Sequence, residues 1–105
     1  MPPPRKYQLV IQVPLASMGD FDRLIEAEER IDALLGELGR IGGHATDSGE
    51  GNLFIDTDTP ELALQKALPC LDERVRDVAR AAYREPDGET YTIVWPPGLK
   101  EFRVL

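Results

Sequence analysis

Apolar residues alternate near the start of the chain, with Tyr7, Leu9, Ile11 and Val13 on one side and Gln8, Val10 and Gln12 on the other. A period of two predicts a half-buried β-strand over residues 6–13, ended by Pro14, which has no N–H to give to a ladder. Beyond a loop at 15–19 the rhythm changes. Phe21, Leu24, Ile25, Ile31, Leu34, Leu35 and Leu38 recur mostly at three- and four-residue steps and predict an amphipathic helix over 21–38. Ser17 or Asp20 can cap its start, and Gly39 suits its end. Residues 40–46 and 52–57 predict two strands joined as a β-hairpin, in which Gly49 and Gly51 supply the positive φ of a tight reversal. Thr59-Pro60-Glu61 then signals a helix start: a capping hydroxyl, a proline at the first helical position and an acid near the positive end of the dipole.

The stripe Leu64, Leu68, Leu71, Val75, Val78 and Ala82 predicts that this second helix continues to residue 82. Pro69 lies within it and clashes with the carbonyl of Gln65, so the helix is expected to kink or split there while both halves face one core. A turn at 85–89 leads to a last core strand over 90–95, ended by Pro96-Pro97-Gly98. Residues 98–105 read as an extra edge strand or a tail, and residues 1–5 as a flexible start. The order strand, helix, strand, strand, helix, strand predicts an α+β, ferredoxin-like βαββαβ domain. Its four-stranded antiparallel sheet has the first and third strands central and both helices on one face. The other face, with Gln8, Val10, Gln12, Phe54 and Asp56, is left for a ligand or a second copy.

The chain has 105 residues, enough for one hydrophobic core and not for two, so a single domain is expected. No apolar run approaches the roughly 20 residues of a membrane span, and no apolar segment follows Arg5 and Lys6 as in a secretory signal. A cytoplasmic protein is expected. Its one cysteine, Cys70, has no partner for an internal disulfide, which suits a reducing compartment. Nineteen acidic against twelve basic side chains give a formal charge of -7, which repels nucleic acid and anionic membranes and permits a basic protein partner.

Several blocks carry a resemblance. Gly43-His44 through Ser48-Gly49-Glu50, Asn52-Leu53-Phe54-Ile55 with Asp58-Thr59-Pro60, Ala82-Tyr83-Arg84, and Tyr91 through Trp95-Pro96 resemble a small bacterial family of uncharacterised ferredoxin-like proteins. The resemblance implies that fold and, by analogy, an immunity- or inhibitor-like role.

His44 with Asp47, Glu50, Asp56 and Asp58 makes a ligand set of the kind zinc, manganese or iron accepts. Strand alternation, however, sends His44 and Asp47 to opposite faces, so the hairpin reads as a polar turn and neither metal nor cofactor is assigned. Cys70 with His44 would make a thiolate and its base, but a lone cysteine behind a helical proline reads as a packing residue. The glycines at 42, 43, 49 and 51 open into a strand and not into a helix N-terminus, which discounts a phosphate loop. Asp22, Glu26, Glu29 and Asp32 form an acidic ridge on the first helix, which reads as a solvated face or as a docking surface for a cationic partner. Trp95 and Phe54 are candidates for contact with a partner or a second copy.

These readings favour a non-enzymatic module that binds a protein partner or itself. Its candidate contacts are Glu26, Glu29, His44, Asp47, Glu50, Phe54, Asp56 and Trp95. The alternative is a small-molecule-sensing regulatory domain that holds a metabolite between the loop at 14–19 and the start of the first helix. A metal-dependent enzyme using the His44 hairpin ranks third.

Overall fold

The computed structural model describes residues 6–47 and 49–102, the side chain of residue 47 excepted. The expectations for the first five residues and for 103–105 lie outside this range. In chain order the elements are β1 (Tyr7–Pro14), α1 (Met18–Leu35), β2 (Gly39–Asp47), β3 (Glu50–Thr57), α2 (Pro60–Ala67), α3 (Glu73–Arg76), β4 (Arg80–Arg84) and β5 (Thr92–Trp95). A single 3-10 turn follows α1 at Gly36–Leu38, and another follows α2 at Leu68–Cys70. The strands form one antiparallel sheet in the order β2-β3-β1-β4-β5.

The class is therefore α+β with an open antiparallel sheet, but with five strands and three helices among the described residues where four and two were expected. The difference begins at Pro69. The predicted long helix ends at Ala67, tightens into a 3-10 turn, and leaves helical geometry at Leu71 with φ -87 and ψ 143. Only four residues of α3 follow before the chain extends into β4. Proline cannot donate to the helical ladder and crowds the preceding turn, so the helix splits instead of kinking. The apolar stripe beyond it was partly coincidental, because Val78 is 55% exposed and Ala82 belongs to a strand. Residues 90–95, read as the fourth strand beside β1, instead supply the fifth, at the far edge beside β4.

The core lies between one sheet face and the helices. Leu9, Ile11 and Val13 of β1, Leu53 and Ile55 of β3, and Ala79 and Ala81 meet Leu24, Ala27, Ile31 and Leu35 of α1 and Ala63, Leu64 and Ala67 of α2. Burying each large aliphatic side chain contributes about 1.5–3 kcal/mol. Alanines at 79 and 81 keep β4 close beneath the helices. Tyr7 and Tyr83 stack edge to face at 5.2 Å on the same side.

On the opposite face the register lines up Phe54, Val10, Ala82 and Ile93 across four strands. Next to that row Gln12 donates from Nε2 to Asn52 Oδ1 at 3.0 Å, and both residues are buried. This face is thus more closed at its centre than a bare sheet surface.

Local signals explain the ends. Ser17 caps α1, its Oγ accepting from the Asp20 N–H at 3.3 Å, while Asp20 Oδ2 accepts from the Ala16 N–H at 2.8 Å. Gly36, at φ 52, ends α1 in place of the expected Gly39, whose φ of 168 is extended backbone. Thr59 precedes α2 but makes no side-chain cap. The hydroxyl of Thr57 ties this corner instead, donating to the Leu38 carbonyl and accepting from the Thr59 N–H.

In the hairpin Gly49 has the predicted positive φ, 79°, whereas Gly51 lies inside β3 and owes its identity to packing. A Cβ on Gly51 would stand 2.8 Å from Leu24 Cδ2 and 3.0 Å from Leu15 Cδ1. A turn joins Pro96 and Leu99, and Phe102 packs its ring against Tyr91 at 5.1 Å, so residues 98–102 form no edge strand.

Candidate functional site

The break at Pro69 leaves a gap. A continuous helix would have run on beside α1, but the chain swings through Leu71 and Asp72 and opens a cavity of about 360 Å³ between α1 and this link. The end of β1 and Leu15 close it on the third side. Leu15, Leu24, Ala27, Leu71 and Val75 give it an apolar floor, and Asp20, Arg23, Glu26, Arg30 and Asp72 supply the charged rim. Arg23, Glu26, Ala27 and Arg30 share one face of α1 because they fall at three- and four-residue steps. The volume lies within the range of small-molecule sites, as does the composition of apolar walls with a few converging polar groups.

The charges around the rim are unequally committed. Asp20 holds the Ala16 N–H and lies 3.8 Å from Arg23 Nη1, a loose pair whose arginine side chain is 66% exposed. Arg30, Glu26 and Asp72 have no ion-pair partner among the described residues. Cys70 also lines the cavity, its thiol directed to the Lys66 carbonyl at 3.7 Å. Burial pushes this thiol up from its ordinary pKa of 9.0, against a smaller opposing pull from the Arg30 charge. At neutral pH Cys70 is a neutral thiol, the wrong form for a nucleophile.

The other candidate residues are dispersed. His44, on β2, turns toward α1, with Nδ1 2.9 Å from Glu28 Oε2 and its ring edge to face with Phe21 at 5.9 Å. Glu28 was not foreseen as its partner; the sequence separates the two by 16 residues. Asp56 lies on the opposite sheet face, filling the space that Gly42 leaves: a Cβ there would stand 2.9 Å from Asp56 Oδ2. Asp58 Oδ1 accepts from the Lys6 N–H at 2.8 Å. Asp47 and Glu50 are register partners at the closed end of the hairpin. Among the described residues no group of three or more His, Cys, Asp or Glu side chains is gathered that can hold a metal ion.

Phe54 is half-buried in the row beside Val10. Trp95 is half-buried on the core side, its Nε1 donating to the Arg76 carbonyl at 3.4 Å, so its ring serves packing. Glu29 is exposed on α1, while Glu26 belongs to the cavity rim.

Of the expected contacts whose side chains are described, then, only Glu26 joins the cavity. Pro14, Leu15 and Asp20, within or next to the loop assigned to a metabolite, join it too. The contributions of Arg30, Leu71, Asp72 and Val75 were missed. The nearest local signal was Pro69, which interrupts the second helix without fixing where the chain goes next. No helix among the described residues is long and apolar enough to cross a membrane. Comparison with known proteins finds no matching family model, no matching curated protein and no matching solved structure.

Proposed function

We propose that the protein is a small-molecule-binding module, built on a ferredoxin-like βαββαβ core to which β5 adds an edge strand. The strand order β2-β3-β1-β4 and helices packed on a single face support that architecture. The observation that carries the function is the cavity of about 360 Å³, with its apolar floor and uncommitted charges. Binding there would bridge α1 to the link before α3, two segments joined mainly by side chains across the gap, and would stabilise the folded state by mass action.

The test is a small-compound screen read by backbone-amide NMR. Shifts should cluster at Leu15, Leu24, Leu71 and Val75, and Val75→Trp, which fills the cavity from its floor, should abolish them while cooperative unfolding is retained. Shifts confined to the opposite sheet face, or undiminished in the filled variant, overturn the proposal.

A second reading, the binding of a cationic protein through the outer face of α1, is supported by one exposure on that face. Met18 is 76% exposed one turn before Asp22, on the side of α1 that also carries Glu29 and Asp32, whereas Leu34, 55% exposed, lies on the side of Arg23 and Arg30. An apolar residue within a charged ridge suits an interface. Such binding should weaken with salt and be lost on Glu29→Lys, a change that leaves cavity binding untouched.

A further inference from the structure

We infer that the cavity takes a zwitterion with an apolar substituent, a molecule of the class of an aliphatic α-amino acid; this rests on the small-molecule reading above. The argument is an inventory of charges. Asp20 and Arg23 form a loose pair of their own, which leaves one guanidinium, Arg30, and two carboxylates, Glu26 and Asp72, without a partner among the described residues.

A purely anionic ligand would satisfy Arg30 and stand against both carboxylates, in a protein already at -7. A purely cationic ligand would gain nothing from Arg30, which is exposed at the rim and otherwise answered by solvent. A molecule with both heads satisfies all three groups. Its carboxylate receives the planar fork of Arg30, while its ammonium, a compact donor of three hydrogen bonds, lies between Glu26 and Asp72.

Glu26 and Arg30 are one turn apart on α1, about 6 Å along its axis, so one helix face presents both signs to a single small ligand. The body of the ligand is specified by the floor. Leu15, Leu24, Leu71 and Val75 offer aliphatic surface, and Ala27 leaves room beneath the rim. A branched aliphatic side chain placed there loses its hydration in a cavity that is already formed.

Isothermal titration of the full chain with L-leucine provides the test, with three controls that each lack one feature. Leucinamide lacks the carboxylate, N-acetyl-leucine lacks the ammonium, and glycine lacks the apolar body. L-leucine should bind, and each control should bind about tenfold or more weaker, the usual cost of leaving a charge-assisted hydrogen bond or a buried side chain unmade. Arg30→Gln should reduce the leucine affinity by a similar factor and abolish the preference for leucine over leucinamide; Arg30→Lys should restore part of both. Glu26→Gln should instead narrow the gap between leucine and N-acetyl-leucine.

Equal binding of leucine and leucinamide, or an affinity indifferent to Arg30→Gln, overturns the assignment. So does silence toward leucine while compounds of the screen still shift Leu24 and Leu71, an outcome that leaves the cavity reading intact. Silence toward both sets removes the two together.

Discussion

Gly51 and Cys70 show how single atoms hold this site in shape. Gly51 occurs within a strand, where glycine is a poor choice, because Leu24 and Leu15 converge on the space a side chain would need. Gly51→Ala is expected to lower stability by about 1–3 kcal/mol, the usual range for overpacking, in urea denaturation. It should also disturb the cavity, since Leu15 and Leu24 form part of its floor. Cys70 sets a pH dependence. Its thiol pKa is raised in the folded state by burial, so the folded protein holds that proton more tightly than the unfolded chain. Stability from this source is complete below the unfolded value, near 9, and is lost as pH rises through the folded value. Thermal melts between pH 8 and pH 10.5 should therefore show an alkaline fall that is diminished in Cys70→Ser. An unchanged fall in the variant would assign it to other groups.

At the scale of elements, α1 carries most of the discrimination between core, cavity and solvent. Ile31 is fully buried and Leu34, three residues on, is 55% exposed, although both belong to one apolar list in the sequence. Ile31→Ala should cost about 2–5 kcal/mol and Leu34→Ala no more than about 0.5, measured by chemical denaturation of the two variants. Equal effects would mean that Leu34 is covered in solution, against its exposure here. The split between α2 and α3 is the second decisive feature. Pro69 stops one helix, the alanines of β4 let a strand pass close under the layer above, and the gap beside α1 results from both.

For the molecule as a whole, the two sheet faces are unequal. One supports all the helices and the core; the other is closed at its centre by Val10, Ala82 and the Gln12–Asn52 hydrogen bond. At its margin Arg84 donates to Gln8 Oε1 at 3.2 Å and to the Gly88 carbonyl at 3.0 Å, and its guanidinium lies 5.4 Å from the Tyr91 ring centroid. Arg84 thus pins the loop between β4 and β5 to the central strand. Arg84→Ala is expected to increase amide exchange in residues 85–91 while leaving that of β1 and β3 protected, because only the loop loses its anchor. Loss of protection throughout the sheet would show that β5 is integral to global stability.

The class, the first strand, the first helix and the hairpin were legible in the amino-acid order, because each depends on periodicity or on a local cap: alternation from Tyr7 to Val13, the Ser17 hydroxyl, the positive φ at Gly49. The fate of residues 68–84 was not. A stripe at helical spacing ran through Pro69, and alanine is a weak strand former, so nothing local distinguished a kinked helix from a break followed by β4. That choice was made by packing: Ala81 and Ala82 pair with Ile11 and Val10 at the middle of the sheet, where larger residues would collide with the helices or with the opposite row. The cavity is a consequence of the same choice. Its wall joins residues of α1 to Leu71 and Val75, more than forty positions away in the chain, and such a meeting is decided by how layers stack, which no local pattern records.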